Sequence, residues 1–455
     1  MGVQAVKHEA PNLRERPGRL KPIVLLALVV GLQSADAGTV GALVVPLKQS
    51  LHIDNTQVGL LVTVSTGVGA LATLLAGRLA DRIVRVRLLW LTLLVCSAAM
   101  ALSAISPSYG WLLVCRVALG AGVAVSGPVV ASLVGDYFLP AERGRIWGLV
   151  LAGEGACTAV GLLVAGVLGA VSWRLGFAWL AAVGFALAVA VATLLREPLR
   201  RTTLAPDTTA RGLSLWRDVR YVVSIRTNVV LVLGSSFGYF FTTGLSTFGV
   251  ALFCARFDIE QATATVLVYV LGVGALIGVV GSGRFADWLA LRGHISARMA
   301  VGGAAFLAAA VFILPTLLTH SLLPAMVFAF VAAIALGGIN PPLNAARLDI
   351  VHSRVWGTAE AVRTTLVSIS TGLAPLAFGV VSTKLGDPQD SALGHTFLIM
   401  LTTLVVAAAL IWCVARRTYP RDVAEALAAE SATAAVAAVA PIDFASDLKV
   451  AGSRS

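Results

Sequence analysis

Twelve apolar runs divide the chain, at residues 22–46, 57–80, 88–106, 110–135, 146–170, 175–195, 229–254, 262–286, 299–317, 323–346, 358–380 and 396–415. Each is close to the ~20 residues a helix needs to cross a bilayer, which predicts transmembrane helices and not the core helices of a soluble protein. Most connections between them are short. Two are long: residues 196–228, and the alanine-rich tail 416–455. The stretch from Leu215 to Ile225 has an amphipathic pattern and is expected to lie along the membrane surface. The tail is expected to be mobile or weakly helical. The expected organisation is an N-terminal segment (1–21), a six-helix half (22–195), a connector (196–228), a second six-helix half (229–415) and the tail (416–455).

Composition agrees with lipid as the main solvent. Of 455 residues, 58% are hydrophobic and 13% charged, with a mean hydropathy of +0.89. A soluble domain carries roughly 25% charged residues. No length is left for a large soluble domain. A net charge of +11 would suggest nucleic acid in a soluble protein; here the sidedness of the charge is what counts. With the N-terminus inside, about 26 of the 34 Lys and Arg residues fall in cytoplasmic segments, the asymmetry that orients membrane proteins. Both termini are therefore expected in the cytoplasm of a cell-membrane protein, which requires an even number of spans. The basic N-terminal segment followed by a long apolar run reads as a signal-anchor and not a cleaved signal. Cys96, Cys115, Cys157, Cys254 and Cys413 all fall in apolar runs and read as small core residues. No metal-ligand cluster and no phosphate-cradling glycine loop is present, so no metal, no cofactor and no ATP hydrolysis are expected.

The two halves repeat. Gly77-Arg78-Leu79-Ala80-Asp81 follows the second run, and Gly283-Arg284-Phe285-Ala286-Asp287 follows the eighth. Asp136 through Gly144 follows the fourth run, and Asp349 through Gly357 follows the tenth. Two landmarks recurring in the same order mark a duplication, and repeats of this kind build transporters that rock about a central site. The stretch Gly77-x-x-x-Asp81-Arg82-x-x-Arg85-x-Arg87 resembles the signature loop of the major facilitator superfamily, with Val84 where that family usually has glycine. Asp136-Tyr137-Phe138-Leu139-Pro140-Ala141-Glu142-Arg143 resembles its loop between helices four and five, and Arg116-x-x-x-Gly120-x-Gly122 its fourth-helix motif. The first half is most similar to the Spinster-like branch through Asp36, Pro46 and Asp54-x-x-Gln57-x-Gly59-Leu60-Leu61. It departs at Val123, where that branch often has Glu. The resemblance implies an all-α fold of twelve transmembrane helices in two pseudo-symmetric halves, working as a monomer by alternating access.

Polar residues inside apolar runs are the candidate site. An ionisable group at membrane depth is costly and usually faces a cavity or a partner. Asp36 lies about 14 residues, or ~21 Å, from the cytoplasmic end of its run at 1.5 Å per residue. Arg116 lies about 6 residues from the outer end of its own, which in a core of ~30 Å is again ~21 Å from the cytoplasm. The two are therefore expected to pair, with Gln33 one turn away on the same face. The pair reads either as a protonation or substrate-anion site, alternately joined and parted, or as a fixed structural ion pair. Glu154 is a second acid at depth, a candidate proton site. Tyr239, Asn340 and Asn344, with Phe240, Thr243 and Tyr269, are candidate substrate contacts. Asn340 and Asn344 flank Pro341-Pro342, where a broken helix is expected.

The cytoplasmic gate candidates are Gly77, Asp81, Arg82, Arg85, Asp136, Glu142 and Arg143, with Asp287 and Arg354 as second-half counterparts. Glu360 and Arg363, at i and i+3, read as a local pair or gate contact. The expected function is secondary active transport of a small organic anion or similar metabolite, driven by protons, in a lipid bilayer and without nucleic acid. The alternatives are a multidrug or amphipath exporter, an uncoupled uniporter and, from other classes, a membrane sensor or a membrane-embedded enzyme.

Overall fold

The computed structural model describes residues 20–82, 84–138, 143–198, 211–351, 356–386 and 389–439. Among them every regular element is a helix. The first half comprises α1 (Leu20–Ala42), α2 (Val44–Leu51), α3 (Asn55–Arg82), α4 (Arg85–Ala104), α5 (Tyr109–Tyr137), α6 (Arg143–Val171) and α7 (Trp173–Leu194). After α8 (Arg211–Ser224) come α9 (Arg226–Phe257), α10 (Gln261–Leu291), α11 (Ala297–Leu318), α12 (Leu322–Gly337), α13 (Asn340–Ile350), α14 (Trp356–Leu385), α15 (Gln389–Leu410) and, past a π turn, α16 (Arg416–Val439). Eleven helical stretches of the described residues have the length and apolarity to cross a membrane. The more polar α3, packed against α5 and α14, completes twelve crossings. The expected all-α fold in two six-helix halves is borne out.

Two of the twelve crossings are broken, each at proline. The first bends at Leu43 between α1 and α2. Pro46 in α2 cannot donate to the carbonyl four residues back, and that carbonyl, Ala42 O, instead accepts from Gln261 Nε2 of the second half at 2.6 Å. The tenth crossing breaks at Gly338–Ile339, and Pro341 and Pro342 open α13, where missing N–H groups cost nothing.

The duplication extends into the backbone. His52 closes α2 and Asp258 closes α9, both in the left-handed region, at φ 52° and 49°. These two caps stand at the same offset as Gly77 and Gly283. The offset then grows, because α10 and the connection after it are each three residues longer than α3 and the connection to α4.

The two ends of the bundle differ. We call the end where α1 begins and α15 finishes the terminal end, and the other the far end. At the far end the halves interlock. Asn55 Nδ2 donates to Ser382 Oγ at 2.7 Å, and the hydroxyls of Thr56 and Thr383 meet at 2.9 Å. Beside them Gly59 faces Pro375 O and Gly379 faces Asn55 O so closely that a Cβ would lie 2.2 and 2.3 Å from those oxygens. Small residues of this kind let α3 and α14 approach backbone to backbone. At the terminal end each ion pair among the described residues joins two groups of one half.

The connector and the tail form helices where described. In α8, Trp216 is exposed and Val222 fully buried, the amphipathic character expected of it. The tail, expected to be mobile or weakly helical, continues as a helix to Val439 and is anchored at its start. Tyr419 donates to Asp349 at 2.5 Å, and Thr227 N donates to Asp422 Oδ2 at 3.3 Å. Alanine-rich sequence favours helix, and these bonds fix its first turns.

Candidate functional site

The intramembrane acids and arginines gather in two clusters, one in each half. In the first, Asp36 of α1 faces Arg116 of α5. Arg116 Nη1 lies 3.2 Å from both carboxylate oxygens. Arg116 is 1% exposed and Asp36 5%. The guanidinium sits over the Phe177 ring of α7, 4.9 Å from its centroid, a contact favourable to a desolvated cation. Its Nε and Nη2 are buried without hydrogen-bond partners. Gln33 Nε2 donates to Ser126 Oγ at 2.5 Å, tying α1 to α5 one turn from the pair. Glu154 of α6 accepts from Ser34 Oγ at 2.6 Å and is half-buried. Asp36, Gln33 and Glu154 therefore occupy neighbouring turns of one α1–α5–α6 unit.

Removing two charges from water is expensive, and a single close pair seldom recovers the cost in stability. With two unmet N–H positions on Arg116, stability alone is a weak reason for the pair to exist.

The second cluster joins α9, α13 and α14. Glu360 accepts from Arg363 Nε at 3.0 Å and from Arg363 Nη2 at 2.5 Å. It also accepts from Arg347 Nη2 at 3.2 Å. The Tyr239 hydroxyl lies near Arg363 on the α9 side. Arg347 leans on Asn344 Oδ1 at 3.5 Å and donates to Ala359 O at 3.3 Å. Its Nε is buried and unpartnered. The Glu360 side chain is 55% exposed, against 5% for Arg347 and 15% for Arg363. Tyr239 and Asn344 thus share one cluster. Asn340, at the start of α13, has a buried Oδ1 without a hydrogen-bond partner. Arg347 lies one residue past the tenth apolar run and reads from the sequence as a loop cation; only its buried guanidinium marks it.

Two further arginines brace the terminal end, at matching positions of the two halves. Arg85, 4% exposed, is paired with Asp136, donates to Ser132 Oγ at 2.6 Å and lies 3.3 Å from Glu197 Oε1. Arg298 is paired with Asp349 and lies 3.2 Å from Asp287. Arg85 and Asp136, cytoplasmic gate candidates from the sequence, here join α4, α5 and the chain after α7. Asp287 likewise meets a cation of its own half. Glu197 and Arg298 were not singled out from the sequence; the offset that relates Asp136 to Asp349 also relates Arg85 to Arg298 and would have found the latter. Burial, together with Glu197, pushes the nearby Tyr137 hydroxyl up to about 12. Gly77, Asp81 and Arg82 fall in the last turns of α3, and Arg143 opens α6, with side chains beyond those described; Glu142 and Arg354 lie outside the described residues.

The chain is 26% identical over 431 residues to an MFS-type efflux pump of Mycolicibacterium smegmatis, covering 88% of this chain and 93% of that one. It is 32% identical over 135 residues to the niacin transporter NiaP of Acinetobacter baylyi, covering 27% and 31%. Its fold is similar to that of a bacterial homologue of the human lysosomal transporter Spinster, crystallised inward-facing and unoccupied, with a TM-score of 0.79 at 21% identity over 90% of this chain and 98% of that one. The sequence pattern of the Major Facilitator Superfamily matches residues 26–345. That match spans well over half of the chain, and the chain belongs to the Major Facilitator Superfamily of membrane transporters.

Proposed function

We propose that this transporter couples proton movement to the passage of a small organic anion, by alternating access, as a monomer whose terminal end faces the cytoplasm of a cell membrane. The observation that carries the reading is the Asp36–Arg116 pair, buried at matched depth between α1 and α5. While the pair is joined, each group is the other's counter-charge. When the helices part, the Asp36 carboxylate loses its counter-charge and a proton takes the place of Arg116. The freed Arg116 is then a cation for a substrate anion. The basic residues clustered on one side of the membrane support the orientation. The niacin transporter among the relatives supports the substrate class, since niacin is a small carboxylic acid.

A second reading, export of an amphipath, is favoured by the efflux pump that aligns along nearly the whole chain. Proteoliposomes decide between the two. An inward-directed proton gradient should accumulate labelled nicotinate or benzoate, and Asp36→Asn should remove the dependence on the gradient. Gradient-driven loss of a cationic dye, with no carboxylate movement, would establish the export reading. Proton dependence unchanged in Asp36→Asn would remove the coupling role. Light scattering of the detergent-solubilised protein tests the monomer.

Alternating access has its own test at the far end. Cysteines at Thr56 and Thr383, whose hydroxyls meet at 2.9 Å, should form a disulfide that arrests transport until it is reduced. Full transport by the oxidised protein would exclude opening of this seam.

A further inference from the structure

We infer that the second-half cluster is an anion-binding site, in which Glu360 stands in for the carboxylate of a ligand. The inference rests on the anion-transport reading above for its biological meaning, but the binding chemistry is independent of coupling. Two guanidinium groups, from α13 and α14, converge on a single acid, and Tyr239 of α9 stands against Arg363. The cluster therefore holds one more positive charge than it holds negative. The cations are the buried members and the acid the exposed one: 5% and 15% against 55%. A purely structural ion pair gains nothing from this order, since the carboxylate is left in the position most open to replacement. Arg347 Nε, buried and without a partner, is an unused donor at the same point.

The chemistry of the donors selects the ligand class. A planar guanidinium presents paired N–H groups that match a carboxylate. Arg363 already holds both oxygens of Glu360, with Nε 3.0 Å from Oε1 and 3.3 Å from Oε2 and Nη2 2.5 Å from Oε1. A small monocarboxylate entering from the exposed side can take the same donors while the Glu360 side chain swings away. Tyr239 then supplies a hydroxyl and an aromatic edge beside it. The helix break before Asn340 places Arg347 by starting α13 as a separate helix, and Arg363 lies within α14. A shift between these two helices changes the bite of the site without a change of residues.

The test is equilibrium binding of nicotinate and of benzoate to the purified full-length protein in detergent. Glu360→Gln removes the internal competitor and keeps the side-chain volume; it should tighten carboxylate binding about tenfold. Arg363→Gln should weaken it about tenfold or more. Melting temperature measured without ligand shows that each variant is folded, and Arg363→Lys serves as a second probe, retaining the charge while losing the paired donors. Binding unchanged or weakened in Glu360→Gln, in a folded protein, would overturn the inference and leave the cluster an ion-pair brace. Failure of the coupling reading looks different: the proton gradient would drive no uptake, while carboxylate binding would still respond to Glu360 and Arg363.

Discussion

The two acid–arginine clusters use the same chemistry to opposite ends. Asp36 and Arg116 are one acid and one base, both shut away from solvent, with an aromatic ring beneath the cation. Glu360, Arg363 and Arg347 are one acid and two bases, with the acid facing outward. The first is neutral and closed; the second is cationic and open on its acidic side. Burial turns the first into a device that can change only when helices move. Exposure turns the second into a place where a carboxylate can be exchanged without any such motion. The interlocked far end and the separate ion pairs of the terminal end supply the frame in which these differences matter.

Stability separates the clusters most sharply. Arg116→Ala leaves Asp36 buried without its counter-charge and should cost about 3–5 kcal/mol, or neutralise the acid. Arg363→Ala strips one partner from a carboxylate more than half exposed, and should cost less than about 1 kcal/mol after solvent screening. Thermal unfolding of both variants in one detergent measures the difference. The Asp36→Asn/Arg116→Ala double variant should recover part of the loss, because no unpaired charge is left behind. Equal destabilisation by the two arginine variants would abolish the distinction drawn from burial.

Transport gives the second separation. Asp36→Asn should abolish accumulation driven by a proton gradient while leaving counterflow of labelled against unlabelled substrate, since exchange needs no net proton movement. Glu360→Gln should retain the gradient dependence and change the half-saturating substrate concentration. If both variants lost gradient dependence alike, the two acids would belong to one coupled device.

Much of the first cluster is legible in the sequence. Helical rise alone brings Asp36 and Arg116 to one depth, and Gln33 follows from the helical period. The partner of Gln33, Ser126, is not legible, because a serine in a membrane span can bond its own backbone as readily as another helix. Their bond is a smaller probe of the same cluster: Ser126→Ala should cost about 1 kcal/mol, and Gln33→Leu, which removes the other partner, should restore part of it. The second cluster is legible only in part. Glu360 and Arg363 pair by spacing. Arg347 does not declare itself, since its burial depends on how α13 resumes after the break at Gly338–Ile339. The duplicated braces sit between these cases. One repeat offset links Arg85 and Asp136 to Arg298 and Asp349, but a motif shared by both halves does not say whether its charges reach across the seam or within a half. That depends on side-chain direction at helix ends, which no periodicity encodes.

The smallest expected effect checks that burial, and not ion pairing as such, drives the contrast. Arg421 and Glu425 form an i, i+4 pair on α16 at 2.9 Å, shorter than the Arg116–Asp36 contact at 3.2 Å, with side chains 82% and 64% exposed. Distance alone would rank it the stronger. In water, however, both groups keep their hydration, and salt screens what attraction remains. Arg421→Ala should therefore leave the melting temperature unchanged at physiological ionic strength, and raising the salt concentration should not alter the wild-type value through this pair. A loss comparable to that of Arg116→Ala would mean that α16, through its contacts with Asp349 and Thr227, transmits surface charge into the bundle, and the comparison would then have to include the tail.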